Sequence, residues 1–99
     1  MQVKIEVVSG EAKVELVNAS PLFGTERQIA AADGIRVRMI QAIANAMLPR
    51  VKTAEALESG FGKIAPAFDA MTSKQWLDAN DAWDGSKQSA MNALLPFVR

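Results

Sequence analysis

The sequence predicts an α+β fold in which an N-terminal β-hairpin packs on a small bundle of about four helices. Polar and apolar residues alternate over the first 17 residues, and from residue 25 onward apolar residues recur at helical spacing between capping signals. A chain of 99 residues has the size of one domain. We therefore assign a single domain, with the hairpin at 1–17, a central helix at 25–48 and short helices over 53–98.

The hairpin is predicted from two runs of alternating residues. Val3, Ile5 and Val7 fall on one face of the first run, and residues 13–17 alternate in the same way. Between the runs lies Ser9-Gly10-Glu11, where the glycine can take the positive φ of a tight turn. A lone hairpin is barely stable in water, so we expect the helices to cover its apolar face.

Residues 18–24 are predicted to connect the hairpin to the first helix, because Pro21 and Gly24 break regular structure. The two large apolar side chains of this connector are Leu22 and Phe23. We expect both to pack into the core beneath the loop.

The central helix is predicted to begin at a capping box formed by Thr25 and Gln28 and to end at Pro49. Its weak point is Asp33-Gly34, because glycine costs about 1 kcal/mol relative to alanine inside a helix. Asp33 could instead cap a second helix that begins at Gly34. We favour one continuous or kinked helix, since the apolar face keeps its phase across the junction.

The middle of the chain is predicted to form two short helices. Thr53 is suited to cap the first, and Gly60-Phe61-Gly62 is expected to end it. The second is expected over 63–71, with Pro66 in its first turn.

The end of the chain is predicted to form two more helices. Thr72 and Gln75 have capping-box spacing and open a helix to about Trp83. Ser86 is expected to cap the last helix, over 87–95, which Pro96 would end.

The composition argues against most enzyme chemistry. The chain contains no His, Cys or Tyr, which excludes histidine-based triads, cysteine nucleophiles and the usual zinc sites. We therefore predict no catalytic residue, no cofactor and no metal. The first residues lack the features of a signal peptide, the longest uncharged stretch is too short to span a membrane, and the absence of cysteine fits a reducing compartment. We expect a cytoplasmic protein without membrane contact.

The charges balance over the whole chain but not along it. There are 11 basic and 11 acidic residues. Residues 26–52 hold five basic and two acidic residues, whereas residues 69–84 hold four acidic residues and one lysine. A net charge of zero disfavours nucleic acid as a partner and favours association between copies of the protein.

Arg36 is the first candidate for a partner-binding residue, because helical spacing places it with Asp33 on the apolar face of the central helix. Three interpretations compete. In the first, Asp33 and Arg36 form a partly buried ion pair. In the second, Asp33 caps a helix that begins at Gly34. In the third, this face of the helix packs on a partner through Arg36.

Arg38 and Arg50 are further candidates on the same helix. Arg38 forms a narrow polar face with Gln41 and Asn45, and the arginines together could form a basic patch for phosphate or nucleic acid. The alternative is an ordinary solvated face, because the aromatic residues that stack on single strands are missing here.

The fourth helical segment carries four more candidates. Asp78 and Asp81 share one flank with Asp84, which suits a weak Mg²⁺ or Ca²⁺ site, a surface that docks on a basic partner, or a solvated flank. Trp76 and Trp83 lie seven residues apart, and are either core anchors or an exposed aromatic patch.

For function, these observations favour a small non-enzymatic protein that binds another protein as an inhibitor, adaptor or regulator. Its size suits an accessory protein of bacteria or phages. One alternative is a structural subunit of a homo-oligomeric assembly, such as a component of a phage particle, with copies joined by strand addition at the hairpin. The other is a nucleic-acid-associated protein that uses the basic patch.

Overall fold

The computed structural model describes residues 1–98 and has an N-terminal antiparallel hairpin followed by four helices, which confirms the α+β prediction. The elements are β1 (Gln2–Val8), β2 (Glu11–Val17), α1 (Glu26–Val51), α2 (Ala54–Asp69), α3 (Ser73–Ala82) and α4 (Ala90–Val98).

The hairpin turns through two residues, Ser9 and Gly10, whose φ angles are 52° and 77°. Positive φ at both positions matches the right-handed twist of the strands. Glu11, which the sequence places in the turn, already belongs to β2. Alternation puts the charged side chains on the outer face, with Lys4 opposite Glu15, and buries the inner face against the helices.

The core lies between the inner face of the hairpin and the four helices. Helix α1 packs against β2 and α3, and α2 packs against β1. The largest fully buried apolar side chains come from all four helices: Met39, Ile40, Leu57, Phe68, Trp76 and Leu94. Within residues 1–98, no helix combines the length and hydropathy that a membrane span requires.

Helix α1 is continuous through Asp33 and Gly34, as the phase of its apolar face predicts. Its predicted end at Pro49 is wrong, because the helix extends to Val51. Proline lacks an N–H, so it removes the bond to the carbonyl four residues back, but it leaves the following donors free. The N–H of Lys52 still donates to the Leu48 carbonyl at 2.8 Å.

Helix α2 is one helix of 16 residues, so the prediction of two short helices broken at Gly60-Phe61-Gly62 is wrong. Phe61 lies between the two glycines and is buried, as are Leu57 and Ala65 on the same face. Burial of this continuous apolar face outweighs a propensity cost of about 1 kcal/mol for each glycine. Pro66 therefore lies in the last turn rather than the first.

Helix α3 begins at the predicted capping box, in which Gln75 N–H donates to the Thr72 hydroxyl at 3.2 Å. Helix α4 begins at Ala90, three residues later than predicted, and includes Pro96. The prediction that Ser86 caps this helix is wrong, because Ser86 and Ser89 instead belong to a turn that closes around Asp84.

Candidate protein-binding site

Arg36 is buried at 9% exposure, and its guanidinium forms hydrogen bonds with two residues of its own chain. Nη2 donates to Asp33 Oδ1 at 3.0 Å, and Nη1 donates to the Ser20 carbonyl at 3.3 Å. This geometry confirms the partly buried ion pair and rules out Asp33 as a helix cap. Because the fold itself covers Arg36, this side chain offers no surface for a partner.

Arg38 and Arg50 are both exposed on α1 but do not form a cluster. They lie 12 residues apart, roughly 18 Å along the helix axis. Arg36, the third arginine of the predicted basic patch, is buried and pairs with Asp33, so it does not extend a surface formed by Arg38 and Arg50. The geometry therefore gives the nucleic-acid interpretation no further support.

Gln41 and Asn45, which the sequence groups with Arg38 on a polar face, contact the hairpin. Asn45 Oδ1 accepts from the Ala12 N–H, and Asn45 Nδ2 donates to the Ala12 carbonyl, both at 2.9 Å. Gln41 Oε1 accepts from the Val14 N–H at 3.2 Å. The side-chain amides of Gln41 and Asn45 therefore form hydrogen bonds with the backbone groups at the outer edge of β2. Another strand could pair with Ala12 and Val14 only by displacing these side chains.

The acidic flank of α3 separates into two environments. Asp78 accepts from Lys74 at 3.0 Å on the surface, and Asp81 is exposed. Asp84 instead accepts from the Ser86 N–H at 2.8 Å and from the Ser89 hydroxyl. Within residues 1–98, no three His, Cys, Asp or Glu side chains are grouped so that they could hold a metal ion.

The Asp84 turn predicts a pH dependence of stability. Hydrogen bonds from the Ser89 hydroxyl and the Ser86 N–H lower the pKa of Asp84 from 3.8 to about 2. Because this pKa is lower in the folded state, the carboxylate stabilises the fold at pH values above 3.8, and the contribution is lost as the pH falls through about 2. We expect Asp84→Asn to lower the melting temperature near neutral pH, with the difference from wild type vanishing near pH 2.

Thermal unfolding across this pH range measures the effect. Asp81→Asn is the matched control, because it removes an exposed carboxylate of the same segment. A difference between Asp84→Asn and wild type that stayed constant down to pH 2 would contradict the assignment.

The two tryptophans have different environments. Trp76 is fully buried, and its ring centroid lies 5.9 Å from that of Phe68. Trp83 is partly buried, and its indole N–H donates to the Ser86 carbonyl at 2.7 Å. The core interpretation is therefore correct for Trp76, whereas Trp83 anchors the turn between α3 and α4.

An apolar cavity of about 200 Å³ lies between α1, α2 and α4. Aliphatic, aromatic and thioether side chains form almost its entire wall. Its lining residues are Ile43, Met47, Gly60, Phe61, Ile64, Phe68 and Met91. Ile64 and the two methionines are only partly buried, so the cavity opens to solvent.

Phe23 is the second apolar feature. The expectation that it packs into the core is wrong: it is 78% exposed, compared with 39% for Val8, the next most exposed large apolar side chain within residues 1–98. Leu22 takes the inward position and packs against the core. The backbone conformation that turns Leu22 toward the core leaves the adjacent Phe23 in solvent.

Comparison with known protein families, proteins and structures identifies no relative of this chain. No family model, no curated protein and no solved structure matches this chain.

The residues that form the cavity were not candidates from the sequence. Ile43, Met47 and Phe61 have the spacing of ordinary core residues, and the cavity arises only because three helices leave a gap between them. Gly60 gives no distinguishing signal either, because an added Cβ has no atom within 4 Å at Gly60 and also none at Gly62, which does not line the cavity.

Proposed function

We propose that this protein is non-enzymatic and acts by binding another protein through the cavity between α1, α2 and α4. The observation that carries the proposal is the cavity itself, which is open, about 200 Å³ in volume and apolar on almost every side. Pockets that fix small polar substrates combine apolar walls with convergent polar groups. This cavity lacks such groups among its lining residues and suits an apolar side chain.

The size of the cavity supports an apolar side chain of the partner as its occupant. An apolar cavity of about 150 Å³ accepts a benzene ring, so one of this volume accommodates a phenylalanine or leucine side chain. Met47 and Met91 lie at its edge. The flexible thioether side chain of methionine adapts to differently shaped apolar groups, as on surfaces that bind several partners.

The residue types present support the same function. Without His, Cys or Tyr, the chain lacks the side chains most often used for proton transfer and nucleophilic attack near neutral pH. The absence of cysteine also fits a reducing compartment, and on that ground we place the protein in the cytoplasm. An inhibitor, adaptor or regulator of bacterial or phage origin fits these properties.

The proposal is tested by selecting peptides from a random display library on the immobilised protein. We expect selected peptides to share an aromatic or aliphatic anchor residue and to lose at least tenfold in affinity for Gly60→Leu, whose new side chain occupies the cavity. Fluorescence anisotropy of labelled peptides measures this change.

Gly62→Leu is the matched control, because Gly62 lies in the same helix, an added Cβ also meets no atom within 4 Å, and the residue does not line the cavity. Both variants remove a helix-interior glycine, so neither is expected to unfold α2. Peptides that bind Gly60→Leu and Gly62→Leu equally well would overturn the proposal.

A further inference from the structure

We propose that the partner of the cavity is a second copy of this protein, which inserts its Phe23 between α1, α2 and α4. This inference rests on the proposed function, because it names the occupant of the same site.

Phe23 and the cavity match in chemistry and size. Phe23 is the only aromatic side chain within residues 1–98 that is mainly exposed, and it is 78% exposed. The cavity of about 200 Å³ is larger than the roughly 150 Å³ that holds a benzene ring. Each copy therefore carries an exposed aromatic ring and an apolar cavity of suitable size.

The loop holds Phe23 in a fixed position on both sides. Before it, the Ser20 N–H donates to Asp69 Oδ1 at 2.9 Å, and the Ser20 carbonyl accepts from Arg36. After it, the Thr25 N–H donates to Gln28 Oε1 at 3.0 Å, and the Gln28 N–H donates to the Thr25 hydroxyl at 3.2 Å, in the capping box that begins α1. A side chain on a loop anchored at both ends loses little conformational entropy when it binds.

Charged residues of both signs lie next to each feature in the sequence. Glu26 and Arg27 follow Phe23, and Glu58 and Lys63 lie in α2, the helix that contributes Gly60, Phe61 and Ile64 to the cavity. Neither segment therefore has an excess of one sign that would repel a second copy.

The contact joins two different surfaces, because Phe23 does not line the cavity of its own chain. Such a heterologous contact leaves a free Phe23 at one end of every dimer and a free cavity at the other. Copies therefore add head to tail and form a ring or a filament. A net charge of zero adds no overall repulsion between copies.

Two complementary variants test the head-to-tail contact. Phe23→Ala lacks the inserted ring but keeps the cavity, and Gly60→Leu keeps the ring but fills the cavity. In sedimentation velocity at up to about 1 mM protein, a concentration suited to a contact of one side chain, we expect wild type and Gly62→Leu to form species larger than dimers. Each complementary variant alone stays monomeric, and their equimolar mixture forms a dimer and nothing larger.

Three results would overturn the inference: monomeric wild type over this range, assembly that persists in Phe23→Ala, or a mixture of the two variants that stays monomeric. Phe23 is so exposed that its truncation does not threaten the fold, and circular dichroism verifies that each variant is folded. Monomeric wild type together with peptides that lose affinity for Gly60→Leu would overturn the second copy as partner and leave the protein-binding cavity intact. If the mixture forms dimers but no selected peptide binds the cavity, the cavity would bind Phe23 of a second copy and no other protein.

Discussion

Asn45→Ala is expected to lower the free energy of unfolding by about 2 to 3 kcal/mol, although the change improves the intrinsic helix propensity of α1. The Asn45 amide satisfies both the N–H and the carbonyl of Ala12, and it also donates to the Gln41 carbonyl at 3.0 Å. Ala12 is only 1% exposed, so water cannot replace these bonds without opening the contact between α1 and β2. Leaving one buried polar group unpaired costs about 1–3 kcal/mol, and this change leaves two.

Equilibrium unfolding in urea measures the effect, and hydrogen exchange locates it. The Ala12 amide is expected to exchange much faster in Asn45→Ala. Asn92→Ala is the control, because Asn92 is an exposed helical asparagine, and its change is expected to stay within about 0.5 kcal/mol. A loss no larger than that of the control would show that Asn45 does not hold the hairpin on α1.

The sequence predicts the elements well where local chemistry and tertiary packing agree. The hairpin follows from strict alternation around Gly10, and α1 and α3 begin at the capping boxes of Thr25 and Thr72. In these places a few neighbouring residues define the backbone conformation, so the pattern alone is sufficient.

The predictions fail where packing outweighs local preference. The glycines of α2 and the prolines near the ends of α1 and α4 were expected to end helices. The glycines of α2 flank the buried Phe61, whose burial offsets their propensity cost. The prolines lie in the last turns of α1 and α4 beside apolar residues that are partly buried against the core, and each proline removes only one N–H. Such compensation depends on residues distant in sequence, and a local pattern contains no information about them.

The candidate site was harder to predict than the fold. Of the candidate residues, Arg36 and Trp76 are buried within the chain, while Arg38, Arg50 and Asp81 are exposed at separate places. The sequence candidates were chosen because they are charged or aromatic, whereas the cavity is lined mainly by apolar residues with the spacing of core residues. Its existence depends on how three helices diverge, which hydrophobic periodicity does not specify.

Trp76→Ala is expected to have the largest effect of any single change described here, a loss of about 3–5 kcal/mol. A domain of this size has a total stability of roughly 5–15 kcal/mol, so the variant is expected to be close to unfolding at 37 °C. Trp76 is fully buried against Phe68, and it connects α3 to the core that the other helices and the hairpin share. Thermal and urea unfolding measure the loss.

Trp76→Phe distinguishes packing from polarity at the same position. The indole nitrogen of Trp76 is buried and has no hydrogen-bond partner, so phenylalanine removes an unsatisfied donor while it keeps an aromatic ring against Phe68. We expect a loss of only about 1 kcal/mol, because the gain from removing this donor offsets part of the cavity cost. If Trp76→Phe destabilised the protein as strongly as Trp76→Ala, the indole N–H would have to be satisfied in solution, and the polar part of this account would be wrong.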